Sequence, residues 1–193
     1  VSGRWEYLDS EPFRLRYAIA ADLLAYHCAE LLEIGAVGRG IAAQGGPMNF
    51  VDITLVGPGV DIGFGVETGY DVPFQNVERE WLDPAPDGVL LMGLALEGMT
   101  EPAWQHLADL VSGAKRTVLE YPPAHALSIR QAQWISTNTE TRIQCHFDLD
   151  LRRVPSEDPR VERFGLRRFC VLEPLPSVEE REPGAELECG DGC

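Results

Sequence analysis

The stretch "RIQCHFDLDLRRVPSEDPRVERFGLRRFCVL", residues 142–172, decides the fold. Arg142 to Leu151 alternates with period two, and Arg167 to Leu172 is a second apolar run with strand-forming residues. Between them lies a polar loop with no helical periodicity. Strands joined without a crossover helix pair antiparallel, so the chain ends on an antiparallel hairpin.

Upstream of that hairpin, strand-like and helix-like runs take turns. Ser128, followed three residues later by Gln131, is a capping box and predicts a helix to about Ser136. Before it, Arg116 to Tyr121 reads as a strand closed by Pro122-Pro123. Thr100 caps a preceding helix with Glu101 and Pro102 in its first turn; Trp104, Leu107, Ala108 and Val111 share one face, and Gly113 ends it. The run "VLLMGLAL", Val89 to Leu96, is one that only a central strand covered on both faces tolerates. Phe74 to Trp81 carries polar Asn76, Glu78 and Glu80 in alternation and predicts an edge strand. Phe50 to Val56 and Ala29 to Ile34 are two further strands, separated by a glycine turn and a short helical piece around Ile41 to Gln44. Residues 57–73 hold five glycines and two prolines, which predicts an irregular crossover. At the start, Leu15, Ala18, Ile19, Leu23 and Tyr26 recur at helical steps over Arg14 to His27, with Pro12 suited to the helix start. Five strands with helices or crossovers between them, then a hairpin, indicate a mostly parallel sheet.

The bulk numbers narrow the partners. A chain of 193 residues is most simply one domain, here residues 1–174, and should bury roughly 70% of its unfolded surface. Residues 175–193, "LPSVEEREPGAELECGDGC", are acidic and nearly free of large apolar side chains, which predicts a disordered tail. Sixteen Lys and Arg against thirty-one Asp and Glu give a net charge of -15, which repels nucleic acid and anionic membranes. The pairs Arg152-Arg153 and Arg167-Arg168 are too small and too interleaved with acids to reverse that. Neither nucleic acid nor membrane is therefore expected as a partner; a protein partner stays open. Five cysteines, at 28, 145, 170, 189 and 193, lack framework spacing and read as reduced thiols of a cytoplasmic protein. No metal site is expected, because adjacent strand residues such as Cys145 and His146 face opposite sides.

The first strand ends in Glu33-Ile34-Gly35, and the turn continues Gly35-Ala36-Val37-Gly38-Arg39-Gly40. Glycines there also suit a plain strand-to-helix turn. Joined to the element order and the antiparallel ending, over residues 12–174, the chain resembles the class I S-adenosylmethionine-dependent methyltransferases. The resemblance implies an α/β Rossmann-like fold: a seven-stranded, mostly parallel sheet with a terminal antiparallel strand and helices on both faces. It also implies S-adenosylmethionine as cofactor, held by Glu33, Gly35, Ala36 and Gly38 of the first turn and by Leu94 near the end of the fourth strand. The family usually places a carboxylate at the end of the second strand, where it accepts bidentately from the ribose hydroxyls. Gly57 stands there, and Asp61 is the residue that could reach back. Asp83, after the third strand, either meets the adenine amine or simply opens an Asp-Pro turn.

Substrate-facing groups in such folds sit at the carboxyl ends of the strands. Glu97 follows the fourth strand, while Tyr121 and His125, in "EYPPAH", follow the fifth. They are the candidate catalytic residues, as substrate contacts or a general base. The implied function is methyl transfer to a small molecule, which needs alignment more than a dedicated catalytic motif. The second reading, motivated by Gly57 and the short element before the second strand, is a catalytically inactive methyltransferase-like domain that binds or regulates a partner.

Overall fold

The computed structural model describes residues 10–34, 52–57, 74–76, 87–92 and 101–176. In chain order these form α1 (Glu11–Ala25), β1 (Glu30–Ile34), β2 (Asp52–Gly57), β3 (Phe74–Asn76), β4 (Gly88–Met92), α2 (Glu101–Gly113), β5 (Arg116–Tyr121), α3 (Ala126–Asn138), β6 (Thr141–Asp150), α4 (Pro159–Phe164) and β7 (Leu166–Pro174). A single turn of 3-10 helix, Leu151–Arg153, follows β6.

The strands form one sheet of seven in the order β3-β2-β1-β4-β5-β7-β6. β1 to β5 pair in parallel. β7 inserts antiparallel between β5 and β6, so it is the one reversed strand and β6 again runs with the parallel set. The hairpin expected from residues 142–172 is thus present, and β3 lies on the opposite edge, as its polar alternation implied.

Burial follows from position in the sheet. Every residue of the central strand β4 is buried, because helices cover both of its faces. On one face Leu32, Ile34, Val89, Leu91, Leu119 and Leu172 pack against Leu107, Leu110 and Val111 of α2 and Ala132 and Ile135 of α3. Trp104 and Trp134 meet edge-on at 5.1 Å where α2 touches α3. On the other face Leu31, Leu90, Val118, Phe169 and Val171 pack against Tyr17, Ala20 and Leu24 of α1. At the amino end of the sheet the chain passes so close that a side chain on Gly88 would press on Cys28 at 3.0 Å. Asp87 ties this end together, accepting from the Ala29 amide (3.2 Å) and from Lys115 Nζ (2.8 Å).

Three sequence expectations need correction. The helix predicted over Arg14 to His27 starts earlier, at Glu11, and buries a different face: Phe13, Arg16, Tyr17, Ala20 and Leu24 point inward. Leu15 is half-exposed and Tyr26 is almost fully exposed. An arginine occupies the inward stripe, and that displaced the apolar pattern by one residue. The helix predicted from the Ser128 capping box begins at Ala126, with His125 as its cap, since the imidazole accepts from the Ser128 amide. The polar loop between the last strands contains α4, started by Asp158 and Pro159; Asp158 accepts from the Arg160 amide and anchors the first turn. Residues 93–96 of the predicted fourth strand, the short piece at 41–44, the core of the 57–73 crossover and residues 177–193 of the tail, with Cys189 and Cys193, lie outside the described residues.

Candidate functional site

Ile34, Gly57, Asn76, Met92 and Tyr121 end their strands at one edge of the parallel sheet. The chain runs outward from β1 through β2 to β3 and then crosses back to β4 on the other side of β1. The strand order therefore switches between β1 and β4, and the crevice above such a switch is where open α/β sheets hold ligands. Glu33, one residue before the end of β1, is fully buried and faces the α1 side. Gly57 is the last residue of β2, so the position expected to carry a ribose-binding acid does lie at the strand end. Gly35, Ala36, Gly38, Asp61, Asp83, Leu94 and Glu97 lie outside the described residues.

Tyr121 and His125 are brought to the same rim, as expected, but neither is arranged as a base. Burial raises the Tyr121 phenol above its ordinary range, the Cys170 thiol adds to that, and the Arg168 guanidinium only partly opposes it. A phenol so placed stays protonated near neutrality, its oxygen accepting from Arg168, and its O–H can donate. Arg168 is itself clamped by Asp148, with Nε and Nη2 donating to the two carboxylate oxygens at 2.7 and 2.9 Å. Those bonds hold the Asp148 carboxyl below its usual range. His125 Nδ1 lies 2.9 Å from the Ser128 hydroxyl and accepts from the Ser128 amide at 3.4 Å. A ring nitrogen that caps a helix has its lone pair in use, so the neutral imidazole presents only an N–H at Nε2. The general-base role considered for His125 does not match this tautomer.

Sequence reading missed a buried ion cluster below the same rim. Glu120, with no exposed surface, accepts from Arg167 through both carboxylate oxygens, Nη2 donating at 2.9 Å. Arg16 Nη1 lies 3.5 Å from the second of those oxygens. The Arg16 guanidinium also sits over the rings of Phe13 and Tyr17, at 5.5 and 5.3 Å. This cluster joins the first turns of α1 to β5 and β7. The available signal was a charged residue at an inward position in each of three elements, above all Glu120 in "RTVLEY". Along the connection from β6 to β7, which opens on this rim, three of the four arginines are matched by aspartates, Arg152 and Arg153 with Asp150 and Arg160 with Asp158, while Arg163 lies over the Phe164 ring.

No family model and no curated protein matches the chain. Solved structures do. The N-methyltransferase NodS from Bradyrhizobium japonicum WM9, in complex with S-adenosyl-L-homocysteine, superposes with a TM-score of 0.64 at 12% identity, over 91% of this chain and 94% of that one. A 1,6-didemethyltoxoflavin-N1-methyltransferase from Burkholderia thailandensis, with S-adenosylhomocysteine bound, gives 0.62 at 15% identity, over 90% and 83%. The [4+2]-cyclase SpnF gives 0.54 at 14% identity, over 82% of each chain. An rRNA methylase from Escherichia coli matches at 0.55 and 14% identity; the chain spans 65% of its length and 86% of its own. At these identities the likeness establishes the fold: the chain has the Rossmann-like architecture of the class I methyltransferases. Reaction and substrate must be argued from the site.

Proposed function

We propose that the chain binds S-adenosylmethionine at the carboxyl ends of β1 and β4 and transfers its methyl group to a small molecule. One observation carries this reading: the strand order switches beside Glu33, in a sheet whose last strand is the reversed one. The neighbours solved with S-adenosylhomocysteine, NodS and the toxoflavin methyltransferase, support it.

The chain fits an adenosyl group in two respects and departs from it in one. The strand order switches beside β1, and Glu33 stands one residue before the end of that strand, with Gly35 next after it in sequence. Gly57, at the end of β2, supplies no ribose acceptor, and that task falls to Asp61. In the proposed complex Glu33, Gly35, Ala36, Gly38, Asp83 and Leu94 complete the cofactor site. The bound cofactor contributes an electrophilic methyl group. The chain contributes alignment and exclusion of water, which supply most of the acceleration in such a transfer. Tyr121 orients the acceptor by donating its phenolic proton, and Glu97 is the remaining candidate to receive a proton.

Charge argues for the acceptor's class. With a net charge of -15 and with Arg152, Arg160 and Arg168 paired to aspartates at the rim, the chain offers a phosphate backbone little attraction. The decisive test is calorimetric titration with S-adenosylmethionine. The reading expects a Kd tighter than about 100 μM. No heat at millimolar ligand rejects it.

A further inference from the structure

We propose that the chain forms a two-fold dimer through the free edge of β6, two copies pairing antiparallel with Phe147 on the axis. β6 ends the sheet, and its residues Arg142 to Asp148 are exposed on both faces. Natural edge strands are shielded by charged side chains, above all lysine, by proline, by short length or by a bulge. β6 is ten residues long, contains neither Lys nor Pro, and presents Ile143 at 54% and Phe147 at 36% exposure. It carries a bulge between Ile143 and Cys145, and its charged residues Arg142, Asp148 and Asp150 are engaged in ion pairs with Glu173, Arg168 and Arg152. From Cys145 to Asp150 the register with β7 is unbroken, and this straight stretch is the one available for pairing.

That stretch is complementary to itself. A two-fold axis perpendicular to a continuous sheet keeps each face on its own side, so one residue must sit on the axis opposite its own copy. With Phe147 there, Cys145 faces Leu149 of the second copy, and His146 faces Asp148 on the other surface, each pair occurring twice. The register with Asp148 on the axis sets two carboxylates against each other, and the register with His146 on the axis runs into the bulge at Gln144. Phe147 is already held flat against Phe169, with ring centroids at 5.2 Å and planes 10° apart, so its ring is ordered before a second copy arrives. Aromatic, apolar and opposite-charge cross-strand pairs are the ones that stabilise sheets. The charge of -15 on each copy opposes association, so added salt should favour the dimer.

The experiment is sedimentation of the full chain over about 1–100 μM, with a disulfide readout of register. A concentration-dependent shift from 21.3 kDa to twice that mass is expected, strengthened by salt and lost in Phe147→Lys. In a background of Cys145→Ser, Cys189→Ser and Cys193→Ser, Phe147→Cys should give a covalent dimer on mild oxidation. Opposed residues stand about 4.5–5.5 Å apart at Cα, within reach of a disulfide. Ile143→Cys in the same background should not. If Phe147→Lys fails to fold, as judged by circular dichroism, the disulfide readout decides alone. Monomeric behaviour throughout the range overturns the proposal, and so does a dimer that forms no disulfide at position 147.

Discussion

Gly57 and the cysteines show how much single positions carry. Gly57 ends β2 where an acid would accept from a ribose. If Asp61 does not reach back, Gly57→Asp adds that acceptor and should tighten S-adenosylhomocysteine binding about tenfold, the size expected of one charge-assisted hydrogen bond. If Asp61 already serves, the new carboxylate repels it and weakens binding, and Asp61→Asn alone then costs about tenfold or more. Titrating both variants distinguishes the cases, and a change under threefold in both removes the end of β2 from the site. Burial raises the Cys28 and Cys170 thiols to about 11, whereas Cys145 is exposed. At pH 8 and about 1 μM chain, Cys145 should alkylate about a hundredfold faster than either buried thiol. Peptide mapping by mass spectrometry reads this out, and equal rates would contradict the packing.

Among the elements, α1, β5 and β7 are bound by the Arg16–Glu120–Arg167 cluster. Removing Glu120 leaves two buried guanidinium groups without that counter-charge, which costs about 3–5 kcal/mol. Glu120→Ala should therefore lower the melting temperature by about 10 °C, and a loss under about 1 kcal/mol would mean the cluster relaxes into solvent. The cluster also marks where sequence reading failed. Arg16 interrupts the inward stripe Phe13, Tyr17, Ala20 and Leu24, so the periodicity selected Leu15 and Tyr26, which face outward. The Ser128 to Gln131 spacing mimics a capping box, but the cap is His125, because its ring reaches the Ser128 amide first. Strands were the more legible elements. The apolar run at Val89 needs cover on both faces, and the alternation at Arg142 to Leu151 has period two however the neighbours pack.

The whole molecule combines a mostly parallel sheet, a strand-order switch between β1 and β4 and a net charge of -15. Element order, the reversed last strand and the rim position of Tyr121 and His125 followed from local patterns. The chemistry of that rim did not, since the protonation of Tyr121 and the capping by His125 depend on neighbours remote in sequence or on which nitrogen is engaged. Acid response is also set at this scale. Asp87, Asp148 and Asp158 all titrate below their ordinary value, held down first by hydrogen bonds from Lys115, Arg168 and Arg160 respectively. Groups lowered on folding stabilise the fold above their unfolded value, near pH 4, and that contribution is lost as pH falls through the lower folded value. Self-repulsion from the charge of -15 eases as the pH approaches 4.6. Scanning calorimetry should therefore find a melting temperature that holds or rises from about pH 8 to 5 and falls steeply below about 4; a continued rise below 4 would contradict these pairings. The central claim, an adenosyl cofactor over the β1/β4 switch, is tested most directly by the crystal structure of the chain with S-adenosylhomocysteine. The account predicts ligand density above the carboxyl ends of β1 and β4, beside Gly35 and within reach of Tyr121. Density elsewhere on the molecule, or none at saturating ligand, would contradict it.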